Sequence, residues 1–379
     1  MPRHAPALLA LLGVHALSLA ACDARAQKAG AEVGRVGSAR VTVVASGLDN
    51  PWGIAFLPDG RALVTERPGR LRTLGPDGAL SAPIAGVPAV AATGQGGLLD
   101  VALDPDFATN RTIYLSFSEP GEGGTAGTAV ARAVLGSAGL EQVRVIYRQE
   151  PKVKSPGHYG SRLVFARDGT LFVTQGDRMN QRPKVQDLGT DIGKIVRINR
   201  DGSIPADNPF VGRSDVRPEI WSVGHRNAQG ATLDAAGQLW TAEHGAMGGD
   251  ELNRPEKGRN YGWPVISYGK EYSGASIGEG LTAREGMEQP VHYWDPSIGP
   301  GDLLYYDGDM FPEWRGQFFT SSMKFGHLHR LELRDGTVVR DEKYLDGARL
   351  RIRAIAQGPK GELYLLSGED AGVVLRVEK

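Results

Sequence analysis

The sequence predicts an all-β fold, a six-bladed β-propeller of four-stranded antiparallel sheets, and three observations support this prediction. A motif in which an apolar residue leads into a turn, often Asp-Gly, and then into a strand occurs six times. Glycine supplies 52 of the 379 residues, roughly twice its usual share of ~7%, which indicates many tight turns. Almost no long stretch has the apolar spacing of a helix.

Each of the six motif copies predicts one blade. The copies read FLPDGRALVTER, LDPDFATNRTIYLSFS, FARDGTLFVTQGD, LDAAGQLWTAEHG, the weaker YYDGDMFPEWRGQFFTSS, and QGPKGELYLLSGED. They begin near Leu57, Asp104, Ala166, Asp234, Asp307 and Pro359. Because a blade needs roughly 40–50 residues, the longer spacings predict inserted loops. The alternatives are a pair of β-sandwiches or another all-β barrel.

The chain divides into a predicted signal peptide of lipoprotein type (1–21), a flexible tether (22–40) and a β-propeller catalytic domain (41–379). The apolar run at 5–21 is too short to span a bilayer and ends in Leu-Ala-Ala-Cys, which resembles a bacterial lipoprotein signal with lipidation at Cys22. Ordinary cleavage slightly downstream is the alternative. We therefore expect an exported, periplasmic protein that is lipid-anchored to the membrane, or else a soluble periplasmic or secreted one.

Composition excludes several classes of partner and site. Hydrophobic residues are 41% and charged residues 23%, as in soluble globular proteins, and the formal net charge is −1. This balance gives no indication of a nucleic-acid partner, and membrane contact is expected only through the lipid anchor. Cys22 is the only cysteine, so the chain forms no intramolecular disulfide and no cysteine metal site.

Residues able to do chemistry fall next to predicted strands, where a propeller gathers loops at one end of its channel. His158 lies in a glycine-flanked loop, and Asp177 follows the next strand. A carboxylate beside an imidazole would orient it and raise its basicity, but the spacing does not guarantee contact. A solvated loop histidine and a turn-capping aspartate are the alternatives. Arg226 and Asn227 lie in WSVGHRNAQG, where an arginine fork suits an anionic ligand.

The stretch 241–264 combines hard oxygen donors with many glycines. Glu243, Asp250 and Glu251 lie there among residues whose backbone carbonyls are accessible. Calcium takes six to eight oxygens and accepts carbonyls readily, although the spacing is not that of an EF-hand. A calcium site is therefore one interpretation of this stretch.

Basic residues cluster in two further segments, SSMKFGH with Lys324 and RLRIRAI with Arg351 and Arg353. The two arginines alternate with apolar residues and so share one face of a strand. They form either a solvated face or a channel lining, and a lining of this kind requires a polyanionic ligand. Gln95, in a glycine-rich loop, indicates little by itself.

Taken together and in this order, the segments GQGGLLD, PGHYGSRL, TQGDR, GHRNAQG, GDELN, NYGWP, the Lys324 segment and RIRAI resemble the soluble aldose sugar dehydrogenases that use pyrroloquinoline quinone (PQQ). These enzymes are relatives of soluble quinoprotein glucose dehydrogenase, and the resemblance runs from about Leu48 to Val377. It implies PQQ- and calcium-dependent oxidation of an aldose at C1 to its lactone. A small-molecule or protein acceptor would then take the electrons.

The resemblance also implies roles for individual residues. His158 matches the catalytic base, Asp177 matches the acid that supports it, and Arg226 matches a residue beside the reactive quinone carbonyls. The implied PQQ contacts are Gln95, His158, Arg226, Asn227, Lys324, Arg351 and Arg353. The implied calcium ligands are Gly245 and Ala246, through their carbonyls at the PQQ-bound ion, and Glu251 and Tyr261 at a second, structural ion.

This sequence departs from some relatives at three positions: Ala228 and Ala246 replace prolines, and Ser161 replaces a glycine. Backbone ligation tolerates the first two changes. Segments that shape the sugar pocket of the glucose enzymes are not clearly matched, so glucose specificity stays open.

Two other functions are compatible with a propeller. A calcium-dependent lactonase or other hydrolase would need carboxylates and asparagines around a central metal, and no basic lining. In a non-enzymatic propeller that binds a glycan or a protein, His158 and Asp177 would be incidental. The basic residues speak against the first alternative.

Overall fold

Antiparallel strands supply nearly all the regular structure of the computed structural model, which describes residues 28–346, 348 and 350–379. The predicted signal peptide and Cys22 lie outside these residues. Within them, the helical segments are one short α-helix, α1 (Phe107–Asn110), and the 3-10 turns Glu122–Gly124, Arg182–Lys184 and Pro312–Trp314. None of the helices among the described residues has the length and apolar character needed to cross a membrane.

The strands of the described residues form six antiparallel sheets, numbered here as blades 1 to 6. Blade 1 contains β3 (Pro51–Phe56), β4 (Ala62–Glu66) and β5 (Arg70–Leu74). Blade 2 contains β6 (Leu98–Leu103), β7 (Thr112–Pro120), β8 (Ala126–Leu135) and β9 (Leu140–Arg148). Blade 3 contains β10 (Leu163–Phe165), β11 (Leu171–Thr174), β12 (Lys194–Ile198) and β13 (Ile220–Val223).

The second half of the chain forms the remaining blades. Blade 4 contains β14 (Ala228–Leu233), β15 (Leu239–Glu243), β16 (Asp250–Asn253) and β17 (His292–Trp294). Blade 5 contains β18 (Pro300–Tyr305), β19 (Phe318–Ser322), β20 (Leu328–Arg334) and β21 (Thr337–Tyr344). Blade 6 contains β22 (Ile352–Gln357), β23 (Leu363–Ser367), β24 (Gly372–Glu378), β2 (Ala39–Leu48) and β1 (Glu32–Val36).

The first strand of each blade contacts the first strands of both neighbouring blades, in the closed order β3, β6, β10, β14, β18, β22 and back to β3. These strands therefore line a central channel, and the prediction of a six-bladed propeller is confirmed. Each repeated motif covers the turn between the first and second strands of one blade. In blade 1, for example, the Leu57 N–H donates to the Arg61 carbonyl over 2.7 Å, and Gly60 has a φ of 85° that favours glycine.

The ring closes in blade 6, where β2 from the start of the chain pairs with β24 from its end. Strand β1 pairs with β2 and extends this sheet to five strands. Because β1 begins at Glu32 and β2 at Ala39, residues 32–40 belong to blade 6, and the predicted start of the propeller at residue 41 is corrected. Blade 1 has three strands and a bridge between Leu74 and Leu80 where a fourth strand was predicted.

Apolar side chains pack between adjacent blades. One such cluster joins Leu63 of blade 1 to Leu115 of blade 2, and another joins Phe319 of blade 5 to Leu365 of blade 6. Each pair of neighbouring sheets thus has its own core, which is how a chain of this length avoids one oversized core. Polar side chains occupy the centre of the ring.

Candidate active site

A buried arginine at the start of blade 3 crosses the central channel and connects this blade to blades 2, 4 and 5. Arg162 places Nη1 2.9 Å from Asp100 Oδ1 and Nη2 3.2 Å from Asp302 Oδ1, and its Nε donates to the Gln229 carbonyl over 3.0 Å. The guanidinium lies over the Trp52 ring at 4.3 Å. Burial raises the pKa of Asp302 to about 7, although Arg162 opposes the shift. This network gives the channel a rigid polar layer.

His158 and Asp177 form a hydrogen-bonded pair at one end of the channel. The His158 Nδ1 atom is 2.6 Å from Asp177 Oδ1, and the His158 backbone N–H donates to Gln95 Oε1 over 2.8 Å. His158 has a φ of 53°. The loop packs closely, since a Cβ added at Gly176 would lie 2.1 Å from the His158 carbonyl oxygen. The structure thus brings Gln95, His158 and Asp177 together.

The charge states of this pair suit proton abstraction. Burial lowers the pKa of His158, and the nearby positive charge of Arg226 lowers it further. The hydrogen bond to Asp177 acts in the opposite direction but does not cancel these effects. Burial acts to raise the pKa of Asp177, but the hydrogen bonds from His158 and the Met179 N–H, together with the electrostatic effects of His158 and Arg226, outweigh it and the net pKa is lowered. At neutral pH the imidazole is neutral, and an ionised carboxylate only accepts hydrogen bonds. His158 therefore donates Nδ1–H to Asp177, which leaves Nε2 as the proton acceptor.

Arg226 and Asn227 lie beside the pair. The Asn227 Oδ1 atom accepts a hydrogen bond of 3.1 Å from the Gly160 N–H, which ties it to the His158 loop. The Arg226 guanidinium donates to the His244 carbonyl over 3.2 Å and lies 5.2 Å from the centre of the Trp263 ring. Its Nε is buried and has no partner among the described residues. An unsatisfied buried donor on a cation indicates room for an anionic or carbonyl-bearing ligand.

The predicted basic residues converge on the same region. Arg353 donates to Gln229 Oε1 over 2.7 Å. Burial lowers the pKa of Arg353 to about 9, and Arg351 is the next largest cause. Arg351 in turn lies 3.4 Å from the carbonyl of Met323, the residue before Lys324. Mutual repulsion of this kind marks a cluster that lacks its counter-charge.

Sequence reasoning missed two side chains that link these groups. The His244 Nε2 atom lies 3.0 Å from the Gln229 Oε1 that also binds Arg353. Burial lowers the pKa of His244 far below its ordinary value, and the nearby charges of Arg353, Arg226 and His158 add to this. The second residue is Trp263, whose Nε1–H donates to Asp177 Oδ2 over 2.9 Å. Both lie within the stretch 241–264, in which the sequence prediction considered only the oxygen donors.

The residues expected to bind calcium lie close to one small cavity. Gly245, Glu251 and Tyr261 line a cavity of about 10 Å³, and Ala246 follows Gly245 in the chain. A volume of this size admits one water molecule or small ion. Burial and the neighbouring Glu243 raise the pKa of Glu251 to about 8.

The ligand chemistry of this cavity is limited. Among the described residues, no group of three or more histidine, cysteine, aspartate or glutamate side chains is arranged to hold a metal. The Tyr261 hydroxyl is already engaged, since it donates to the Arg254 carbonyl and accepts the Glu256 N–H over 3.0 Å. An ion here would therefore rely on backbone carbonyls together with Glu251.

The sequence and the fold of this chain match those of a known protein family. Residues 48–376 match the family model for glucose/sorbosone dehydrogenases. The chain is 45% identical to the aldose sugar dehydrogenase YliI of Escherichia coli over 343 residues, which cover 89% of this chain and 92% of that protein. A crystal structure of a glucose dehydrogenase is 48% identical, with a TM-score of 0.87 over 89% of this chain and 99% of that one.

A more distant solved structure contains a cofactor. The PQQ-bound aldose sugar dehydrogenase of Streptomyces coelicolor is 28% identical, with a TM-score of 0.74 over 91% of this chain and 100% of that one.

Proposed function

The chain belongs to the glucose/sorbosone dehydrogenase family, a family of oxidoreductases, and on that basis we propose that it is a PQQ- and calcium-dependent aldose sugar dehydrogenase. The reaction is oxidation of an aldose at C1 to the corresponding lactone. Bound PQQ would supply the acceptor for the two electrons, which a small-molecule or protein acceptor would then receive. The PQQ-bound relative supports the choice of cofactor.

One observation carries this proposal: several cations that form no salt bridge with the described residues lie in the same region as a neutral histidine poised as a base. Arg353 is half-buried close to Arg351, and the buried Nε of Arg226 has no partner among the described residues. PQQ is a planar tricarboxylate, and arginine forks bind carboxylates through paired hydrogen bonds. The mechanism of a lactonase does not require a basic lining, and glycan binding does not require the His158–Asp177 pair.

The residues fit PQQ and calcium. Lys324, Arg351 and Arg353 would bind the carboxylates. Gln95 and Asn227 would add polar contacts beside Arg226. Gly245 and Ala246 would offer carbonyls to a calcium ion at PQQ, and Glu251 with the Tyr261 carbonyl would hold the structural ion. When bound, PQQ supplies a hydride acceptor and calcium polarises it as a Lewis acid.

The protein residues supply the proton chemistry. His158 Nε2 removes the proton of the sugar C1 hydroxyl, while the C1 hydrogen leaves with its electron pair. Asp177 holds the ring through Nδ1–H and stabilises the imidazolium that forms. The positive charge of Arg226 would stabilise negative charge that develops on the acceptor. The proton thus stays on His158 until solvent removes it.

The direct test combines purified apo-protein with PQQ, calcium, a redox dye and a panel of aldoses. We expect dye reduction only when all components are present, and the panel would identify the preferred sugar. Lactone hydrolysis without PQQ would favour the hydrolase. PQQ-independent glycan binding without turnover would favour a binding protein.

The basic cluster leads to a prediction about cofactor affinity. Replacing Arg351 or Arg353 with alanine removes a charged hydrogen-bond donor, which costs roughly 1.5–3 kcal/mol, or about ten- to a hundredfold in Kd. Titration of each variant with PQQ at fixed calcium should show this loss, while turnover at saturating PQQ falls less. Arg334→Ala, which removes an exposed arginine on β20, is the matched control. A change below about twofold at both positions would show that these arginines do not bind PQQ.

We also propose that the protein is exported to the periplasm and lipidated at Cys22, with a soluble form as the alternative. The apolar run at 5–21 followed by Leu-Ala-Ala-Cys supports this proposal. The mass of the mature N-terminal peptide would distinguish lipidation from ordinary cleavage.

A further inference from the structure

The carboxylate of Asp177 is held through both of its oxygens. Oδ1 receives the His158 Nδ1–H over 2.6 Å and the Met179 backbone N–H over 2.8 Å. Oδ2 receives the Trp263 Nε1–H over 2.9 Å, the one donor to this oxygen among the described residues. Trp263 is 5% exposed, and its ring faces the guanidinium groups of Arg226 and Arg182 at about 5 Å.

The same arrangement occurs a second time, away from the site. In blades 4 and 5, Trp294 Nε1–H donates to Asp341 Oδ2 over 2.9 Å, and His329 Nδ1 lies 2.7 Å from Asp341 Oδ1. The connectivity and the distances match those of the first trio almost atom for atom. The second trio joins strands β17, β20 and β21, so it offers an internal reference for what such a trio contributes to stability alone.

We propose that Trp263 is a positioning residue for the reaction: by fixing the Asp177 carboxylate, it sets the direction in which His158 Nε2 faces the sugar. This inference rests on the proposed function. Trp263 comes from the insertion between β16 and β17 in blade 4, whereas His158 and Asp177 belong to blade 3. The insertion of blade 4 therefore completes the hydrogen bonding around the proposed general base, His158, in the neighbouring blade 3.

Torsional freedom explains why a third residue is needed. The terminal torsions of aspartate and histidine are broad, so packing alone does not select one ring direction. The Gln95 hydrogen bond fixes the backbone of His158, not its ring. Donors on both Asp177 oxygens remove the carboxylate rotation, and the Nδ1–H hydrogen bond passes that orientation to the imidazole. Misplacement of a reacting group by about 1 Å can cost a hundredfold in rate.

The indole N–H also affects the electrostatics of the base. The charged or titratable groups that face His158 are Asp177, Arg226, Arg178 and His244. Without the Trp263 donor, the Asp177 carboxylate has one hydrogen bond fewer to stabilise its negative charge. This charge then acts more strongly on the imidazole. The pKa of His158 should then rise, and the acidic limb of the kcat/KM profile should move to higher pH.

The test replaces Trp263 with phenylalanine, which keeps an aromatic ring beside the two arginines and removes the donor. We expect kcat to fall on the order of tenfold or more, the acidic limb to shift upward, and PQQ affinity to change less than about twofold because the cation–π face remains. Trp294→Phe is the matched control. It removes the same donor from the second trio and should lower the melting temperature while leaving kcat and the pH profile unchanged.

A second readout needs neither cofactor nor sugar. Nitrogen-15 NMR of the histidine-labelled protein, with the His158 signal assigned by its loss in His158→Gln, should show a higher His158 pKa in Trp263→Phe than in wild type or Trp294→Phe. Unchanged His158 titration, or equal losses of kcat in both tryptophan variants, would overturn the positioning role. If wild type titrates as expected but lacks PQQ-dependent turnover, the proposed function fails while the effect of Trp263 on His158 stands.

Discussion

His158→Gln is expected to lower kcat by about 10²–10⁴-fold, the contribution of a positioned general base, while PQQ binding persists. Glutamine retains a polar side chain of similar reach but does not accept a proton at neutral pH. In the wild type, the lowered pKa of His158 keeps the base neutral, so kcat/KM should rise with pH through a value below about 6.5 and then level off. Steady-state kinetics across pH at saturating PQQ would measure both effects.

His329→Gln provides the control for this prediction, because His329 makes the same contact with an aspartate and lies outside the site. We expect it to leave kcat within about twofold of wild type, since His329 touches none of the reacting groups. Near-normal turnover in His158→Gln would show that another group removes the proton.

Exhaustive chelation is expected to abolish PQQ-dependent turnover and to lower the melting temperature, and added calcium should restore both. On the proposed function, turnover would depend on a calcium ion beside Gly245 and Ala246 that polarises the acceptor. Stability would depend on the proposed ion at Glu251, because a ligand that binds only the folded state stabilises it by about 2.7 kcal/mol at a hundred times its Kd. Dye reduction and thermal unfolding, each with and without chelator, would measure the two effects.

Glu251→Gln separates the two expected ions. Removing this carboxylate should eliminate most of the calcium-dependent rise in melting temperature, while turnover at saturating calcium remains. If the substitution abolishes both, one ion performs both roles, in keeping with a cavity that admits a single ion. Full PQQ-dependent activity after chelation would contradict the calcium proposal.

The hydrogen bond between His158 and Asp177 could have been predicted more firmly than the sequence analysis allowed. His158 precedes β10 and Asp177 follows β11, which places them at opposite ends of one segment of sequence. These strands are antiparallel, however, and Leu163 pairs with Val173. The start of one strand and the end of the next therefore lie side by side at the same end of the sheet.

The start of the propeller was harder to predict. The residues of β1 have no clear alternation of apolar and polar side chains, and four of the five are exposed or only partly buried. Strand β1 forms because β2 offers it an edge, and β2 in turn is fixed by its pairing with β24 at the far end of the chain. Local pattern carries no information about a partner more than three hundred residues away.

The sequence by itself determined the propeller, because each blade repeats its own turn and apolar strand, and these signals are local. It also identified the candidate site residues, from Gln95 to Arg353, whose roles stay predictions. Only the tertiary structure decided that Trp263 of blade 4 holds Asp177 of blade 3, and that Gln229 joins His244 to Arg353. These contacts depend on how loops from separate blades meet over the channel, a geometry set by the packing between sheets and not by spacing along the chain.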